Sequence, residues 1–427
     1  MRPATRRQLP LTSARKQRGS DASRIELAID ALAAGGDGVG RAPDGRVVFV
    51  PLAAPGDRVR VRLVEEKPRF ARGEIEALLA PGPGRVEPRC PVFGVCGGCA
   101  WQHLAYEAQV EAKQTIVRDA LARIAGLAEP PPLAFTPSPA AYGWRGRARV
   151  HVERGRVGYR QRRSHALCAV AGCPILAPPL EAALARLAAH PPRQRGEWEL
   201  ALGADGAVRV APLGDPARRA AAERITLRVA GERLELSAGV FAQANALLLD
   251  ALAEAVLAAA GTGETALELY AGAGFFTLGL ARRFARVVAV ESDPLATSDL
   301  ARNAAAATPP GAPRRVRVVE ARVESWLAAG EAAALAPEVV VLDPPRGGVG
   351  RGAAEMLAAL PARRLVHVSC DPATLARDVA VLAAGGWRLT ALHGFDLFPH
   401  TPHVEVVAVL EPHAATTGAR LGSSSPP

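Results

Sequence analysis

Hydrophobic positions change their rhythm along this chain, and the changes divide it. Over residues 24–79 apolar and polar positions alternate in short runs, RIELAID, RVVFVPL, APGDRVRVRLV and FARGEIEAL, cut by Asp44-Gly45 and Pro55-Gly56-Asp57. A period of two between turn residues predicts strands, and several short ones in succession predict a small OB-like barrel. Residues 106–124 carry the spacing of an amphipathic helix. From about residue 144 to 236 alternation returns in two hairpins: RARVHVERGRVGYRQR turns at Gly155 and WELALGADGAVRVAP at Asp205-Gly206, with a helix over residues 180–189 between them. After Ser237 apolar strands alternate with helices, the texture of an α/β sheet.

The α/β stretch opens with SAGVFAQANALLLDALAEAVLAAA, which predicts a long helix whose start carries Gln243 and Asn245. TALELYAGAGFFTLGLARRF follows as strand, Gly-x-Gly loop (Gly272, Gly274) and helix, and VVAVESD ends a second strand on Glu291. Residues 338–342 deliver Asp343-Pro344-Pro345-Arg346-Gly347-Gly348, and residues 365–368 run into Ser369-Cys370-Asp371-Pro372. Residues 387–397 form a further strand, and a terminal strand opens on Glu405 within HVE. The expected organisation is a disordered basic arm (1–23), a barrel (24–80), a central mainly-β domain (81–236), a Rossmann-like α/β domain (237–412) and a disordered tail (413–427).

Composition narrows the partners. The chain has 427 residues and is 49% hydrophobic, yet its apolar runs are too short and interrupted for the roughly 20 residues of a membrane span. No apolar core follows the basic N-terminus, which argues against a secretory signal. The Arg-rich, acid-poor arm is read as disordered, a mitochondrial presequence being the alternative, and the expected location is cytoplasmic. Lys and Arg number 52 against 42 Asp and Glu, a net +10, which fits a polyanionic partner or an Arg-rich solvated surface. Arg58, Arg60 and Arg62 share one strand face. Eight arginines, Arg145 to Arg163, crowd the first central hairpin with Tyr159 and His165 interleaved. That mixture suits phosphate neutralisation and base stacking, or simply a polar sheet face.

Six cysteines remain. Cys90, Cys96 and Cys99 form C-x5-C-x2-C, with Gly97 and Gly98 allowing a tight wrap. A fourth thiolate would complete a ligand set, Cys173 first and Cys168 second, for an iron–sulfur cluster or for zinc; a metal-free group of thiols is the plain alternative. Cys370 stands apart, at a strand's carboxyl end, the edge where open α/β sheets bind ligands. Glu291 after a Gly-x-Gly loop suits a ribose, and Thr277 replaces the third glycine of the dinucleotide pattern. A single-nucleoside cofactor such as S-adenosylmethionine is therefore expected rather than NAD.

These residue types meet one chemical need. Carbon C5 of uracil is a poor nucleophile; a thiolate adding at C6 turns the C4 carbonyl into an electron sink and enriches C5. A base must later remove the C5 proton so that the thiol can leave. Cys370, Glu405, Gln243 and Asp343 supply a nucleophile, a base and polar groups for the pyrimidine edge.

With DPPRGG, SCDPATLARD and FPHTPHVE in view, residues 24–411 resemble the RNA uracil-C5 methyltransferase family, in the branch that joins a TRAM domain to a four-iron, four-sulfur cluster. The resemblance implies S-adenosylmethionine as cofactor and RNA as partner, ribosomal RNA before transfer RNA; a monomer is expected, with a dimer as the alternative. It makes Cys370 the nucleophile and Glu405 the base. Gln243, Tyr270, Gly272, Glu291 and Asp343 become the cofactor site, and Cys90, Cys96, Cys99 and Cys173 the cluster ligands. The family's Asp-Leu-Tyr-Cys-Gly is Glu268-Leu269-Tyr270-Ala271-Gly272 here, Phe275 stands where the branch has Asn, and a further contact falls on Ala321. Two rivals lie outside this reading. One is a methyltransferase acting on nitrogen or a small molecule without a covalent step; the other is a non-catalytic RNA-binding iron–sulfur protein.

Overall fold

A computed structural model describes residues 23–413; the predicted basic arm and nearly all of the predicted tail lie outside the described residues. The N-terminal strands form one six-stranded sheet in the order Arg24–Ala28, Arg58–Glu66, Phe70–Ala80, Val47–Val50, Gly38–Arg41, Ala31–Leu32. Its two ends are consecutive in the chain, so the sheet curls into the expected barrel. Alternation fixes the packing: Val48, Val50, Val59 and Val61 point inward and are fully buried. On the outer face Arg60 pairs with Glu26 at 2.6 Å and Arg62 with Glu74 at 2.5 Å. Two of the three guanidiniums offered for RNA thus already face carboxylates within the barrel.

The central antiparallel sheet has the order Leu167–Ala169, Arg156–Arg160, Arg147–Glu153, Gly196–Leu202, Val208–Pro212. Its first hairpin turns through Arg154 and Gly155, both at positive φ (50° and 69°), as a tight hairpin matching strand twist requires. Helix Pro178–Ala189 covers one face through Leu180, Ala183 and Leu184. Tyr159 is half-buried, packed against the core of this sheet, and lines the cavities that hold Cys173 on one side and Arg160, Arg162 and Arg163 on the other. Its position in the strand turns it to the core side of the sheet.

The third layer is an eight-stranded sheet: Val316–Glu320, Phe284–Glu291, Gly263–Leu269, Val339–Leu342, Arg364–Ser369, Glu405–Pro412, Trp387–Phe395, Leu133–Thr136. All neighbours are parallel except at Glu405–Pro412, which runs against both of its neighbours. The fold is α/β and Rossmann-like, with fully buried central strands such as Val339–Leu342, as a sheet covered on both faces demands. Two elements preceding residue 237 belong to this layer in space. Leu133–Thr136 is its edge strand, and helix Tyr106–Arg123 buries Val117 and Leu121 in its main core.

One predicted element differs. The helix expected to begin at Ser237 runs only over Leu249–Ala260. Residues 237–248 cross the sheet edge without helical structure, tied by Ser237 to Asp299 and by Asn245 Nδ2 to Ser138 Oγ at 3.1 Å. Side-chain hydrogen bonds to neighbouring elements here outcompete the helical pattern.

Candidate active site

Topology brings the expected chemistry to one edge. Glu291, Tyr270, Asp343 and Cys370 follow the carboxyl ends of four adjacent parallel strands. Glu405 opens the fifth, whose reversed direction puts its beginning at that same edge. In the ladder Ser369 pairs with Val406, so the next register position sets Cys370 opposite Glu405. Asp371 caps the following helix, accepting from Thr374 N at 2.8 Å, and Pro372 fixes its first turn. The thiol therefore sits at the point where strand becomes helix.

Charge around the thiol is mixed. Burial pushes Cys370 up to about 12, the Glu405 carboxylate adds to the rise, and the Arg346 guanidinium opposes it. Burial first and the Asp343 charge second hold Glu405 well above the ordinary carboxylate range, again against Arg346. Asp343 is raised by burial to about 6, while His367 and Gln243 pull it back. Gln243 Nε2 donates to Asp343 Oδ2 at 3.3 Å, so the irregular segment supplies an amide to the same cleft. Thr374 donates to the Arg346 carbonyl at 3.2 Å, and Asp378 accepts from Val349 N at 3.1 Å. The DPPRGG turn is thereby held against the helix that follows Cys370.

The glycine loop forms the neighbouring half of the cleft. Tyr270 and Gly272 both take left-handed backbone, φ 60° and 55°. For Tyr270 that costs about 1–2 kcal/mol, a strain typical of functional loops. Glu291 accepts from Gly272 N at 2.8 Å with one oxygen and from Ser292 N and Asp293 N at 2.6 and 2.8 Å with the other. The Tyr270 hydroxyl is buried with no hydrogen-bond partner among the described residues. A carboxylate braced from behind and an unpaired buried hydroxyl fit a ligand rich in polar groups, such as a nucleoside with its ribose. Below the loop Glu268 is raised to about 8 by burial and accepts from Thr277 Oγ1 at 2.5 Å. Phe275 packs edge-on against Phe276, centroids 4.9 Å apart, and Ala321 N is spent on Glu291 O at 2.9 Å. Neither side chain brings a polar group to the cleft.

The other cysteines gather elsewhere. Cys90, Cys96, Cys99 and Cys173 line one cavity of about 380 Å³ together with Arg145 and Phe241. Cys168 lies behind them in the core of the central sheet and does not line it. Burial raises all four lining thiols, Cys96 to about 12 and Cys99 to about 11. Among the described residues no group of three or more His, Cys, Asp or Glu side chains is arranged to hold a metal ion.

Sequence reading passed over three features. Phe241, two residues before Gln243, is 68% exposed; no pattern marks an apolar residue in a loop. Arg346 was visible in DPPRGG, but its action on both Cys370 and Glu405 required the fold. Gln109 and Lys113 lie on the buried face of their helix with Ile116, Val117 and Ala120. Two polar residues on an apolar stripe were the available signal.

Two family models match the chain: a TRAM domain over residues 22–75 and a tRNA (Uracil-5-)-methyltransferase over residues 222–307 and 325–413. The chain is 35% identical over 421 residues to the 23S rRNA (uracil(1939)-C(5))-methyltransferase RlmD of Edwardsiella ictaluri, covering 89% of this chain and 94% of that one. It belongs to the RNA uracil-C5 methyltransferase family. The enzyme of the same description from Chromohalobacter salexigens is 36% identical, with 93% and 92% covered. Among solved structures, the tRNA (uracil-54, C5)-methyltransferase of Pyrococcus abyssi, in complex with S-adenosyl-L-homocysteine, superposes with a TM-score of 0.69. Its sequence identity is 25%, covering 90% of this chain and all of that one. The family thus joins the two regions that the chain's own geometry separates, barrel and methyltransferase sheet.

Proposed function

We propose that the protein methylates C5 of a uridine in RNA through a covalent adduct of Cys370 with C6 of the base. The observation that carries this is the register that sets Cys370 opposite Glu405, with Arg346 acting on both. The Cys370 thiol gives its proton to solvent and its sulfur bonds C6, moving the ring's π electrons toward the C4 carbonyl and enriching C5. Arg346 favours the anionic form of the sulfur, offsetting part of the cost of burial. Gly272, Tyr270, Glu291, Asp343 and Gln243 would hold S-adenosylmethionine, which would supply an electrophilic methyl group to C5 with S-adenosylhomocysteine as the leaving group. Glu405, lifted above its usual range, is suited to accept the C5 proton. The sulfur then leaves and the ring is restored.

The curated relatives act on 23S ribosomal RNA, which makes it the favoured substrate; the transfer RNA substrate of the Pyrococcus enzyme is the second reading. One chain supplies every group named, so we take the working form to be a monomer on RNA in the cytoplasm. Among the described residues no helix is long and apolar enough to cross a membrane.

For the thiol cavity we propose a [4Fe-4S] cluster on Cys90, Cys96, Cys99 and Cys173. Four half-buried thiols lining a cavity of about 380 Å³ leave more room than one zinc ion fills, and the donor set is all sulfur, as such clusters prefer. Its place beside the arginine hairpin suits a structural or RNA-positioning role.

The test of the reaction uses uridine-containing RNA with two variants. Cys370→Ala abolishes 5-methyluridine, and Glu405→Gln accumulates an RNA–protein band on denaturing gels because the C5 proton stays in place. Full methylation by Cys370→Ala overturns the covalent route and favours a direct transfer.

A further inference from the structure

Glu405 is the base of a hairpin: it pairs with Phe395, and loop 396–404 joins the two strands. The residue is only 2% exposed, yet among the described residues its carboxylate accepts no hydrogen bond. Apart from the pull of the Arg346 charge, backbone placement decides where this group stands, and it stands on the last pair of a ladder, where strands fray.

Three contacts hold the loop. Lys113, from helix Tyr106–Arg123, donates to Asp396 Oδ1 at 2.5 Å and to the Phe398 carbonyl at 3.0 Å. One turn earlier Gln109 Oε1 accepts from His400 N at 2.7 Å, and Gln109 Nε2 lies 3.1 Å from His400 Nδ1. His400 itself has φ 67°. Its carbonyl accepts from Ala100 N and Trp101 N, both at 2.9 Å, and its ring lies against Tyr142, tilted by 40° with centroids 4.3 Å apart. A left-handed histidine persists only when its surroundings over-determine it. Lys113 and Asp396 are both 0% exposed. Buried ion pairs of this kind contribute little net stability compared with apolar replacements, so stability does not explain this one; fixed geometry does.

We propose that Lys113, Gln109 and His400 are positioning residues for Glu405, locking loop 396–404 so that the carboxylate meets the C5 proton. This rests on the assignment of Glu405 as base. In the release half of the reaction the C5–H bond breaks and its proton passes to a Glu405 oxygen. The electron pair becomes the C5–C6 π bond, and the C6–S bond breaks with its pair left on the Cys370 sulfur. The attack half uses Cys370 on the adjacent strand and no part of the loop. Loosening the loop slows release and spares attack.

The experiment follows both halves with RNA carrying tritium at uridine C5. Adduct is read on denaturing gels and proton removal as tritium released to water. Lys113→Met forms adduct within a factor of about two of the wild-type rate, and its tritium release falls at least about tenfold, part of the 10²–10⁴ that a general base contributes. Methylated adduct then accumulates while KM for RNA stays unchanged. His400→Gly keeps the left-handed backbone and removes the ring contacts, and it carries the same test if Lys113→Met does not fold. A parallel fall of adduct and tritium, or no change in either, overturns the proposal. Glu405→Gln run alongside separates the two claims. If it traps adduct while the loop variants behave as wild type, only the positioning role fails; if it traps none, the base assignment fails and takes the positioning role with it.

Discussion

Two groups of cysteines in this molecule are pushed in the same direction by burial and keep different company. Cys370 and Cys96 are both pushed up to about 12 by burial, and Cys99 to about 11. Acidity at rest therefore does not tell a nucleophile from a ligand. Cys370 stands alone among Asp343, Glu405 and Arg346, on strand ends that also present the glycine loop. Cys90, Cys96, Cys99 and Cys173 line one cavity away from those strand ends, between the central sheet and residues 241–244. A solitary thiol beside a cation and a proton acceptor can form and break a bond to carbon. Thiols that surround a space instead need a cation to share, since thiolates at close quarters repel.

Exchanging one cysteine from each group breaks or upholds this contrast with the largest effect. Cys370→Ala eliminates both methylated product and RNA adduct, while iron content and visible absorbance stay at the wild-type level. Cys99→Ala does the reverse: iron and colour fall, the melting temperature drops because a bound cluster contributes to folding, and denaturing gels still show a Cys370-dependent adduct. Stoichiometric zinc in a colourless wild-type protein would overturn the cluster, and loss of adduct in a well-folded Cys99→Ala would merge the two groups into one site.

That contrast was legible early because both cysteine environments are announced locally. C-x5-C-x2-C is a spacing, and Ser-Cys-Asp-Pro at a strand's end is a position; neither requires the tertiary fold. Strand alternation likewise marked the barrel and both central hairpins, since period two survives wherever one face is buried. What stayed hidden depends on contacts between distant segments. Residues 237–248 read as helix and are held open by Asp299 and Ser138. Lys113 and Asp396 lie far apart in the chain, and no local pattern pairs them.

A smaller effect tests whether the two regions serve one RNA. Phe241 lines the thiol cavity and is 68% exposed, two residues from Gln243 in the catalytic cleft. An exposed ring there offers a face to a base, and such stacking is worth about 1–3 kcal/mol. Phe241→Ala raises KM for RNA about 5–150-fold with little change in melting temperature; Phe241→Trp restores binding. Unchanged KM in Phe241→Ala would leave the cavity mouth outside the RNA path.

The smallest effect concerns what the catalytic edge costs the fold. Asp343 has a native pKa of about 6 against an ordinary 3.8, chiefly because it is buried. Between those values the native state holds the proton more tightly than the unfolded chain. The stabilising contribution of the neutral carboxyl is complete below pH 3.8 and disappears as the pH rises through about 6. Above that, folding confines a charge that water would solvate better. Asp343→Asn keeps an acceptor for Gln243 and removes the charge. It is therefore more stable than the wild type at pH 8, by on the order of 1–3 kcal/mol in chemical denaturation, with the difference vanishing near pH 4. A gap that widens toward acid would reverse the sign and mean that the charged form is the one favoured by burial. In the expected direction, methylation falls while stability rises, and the carboxylate is then a group that the fold tolerates for its chemistry. The expected dependence at the thiol cavity is the opposite: Cys99→Ala lowers the melting temperature and keeps the adduct.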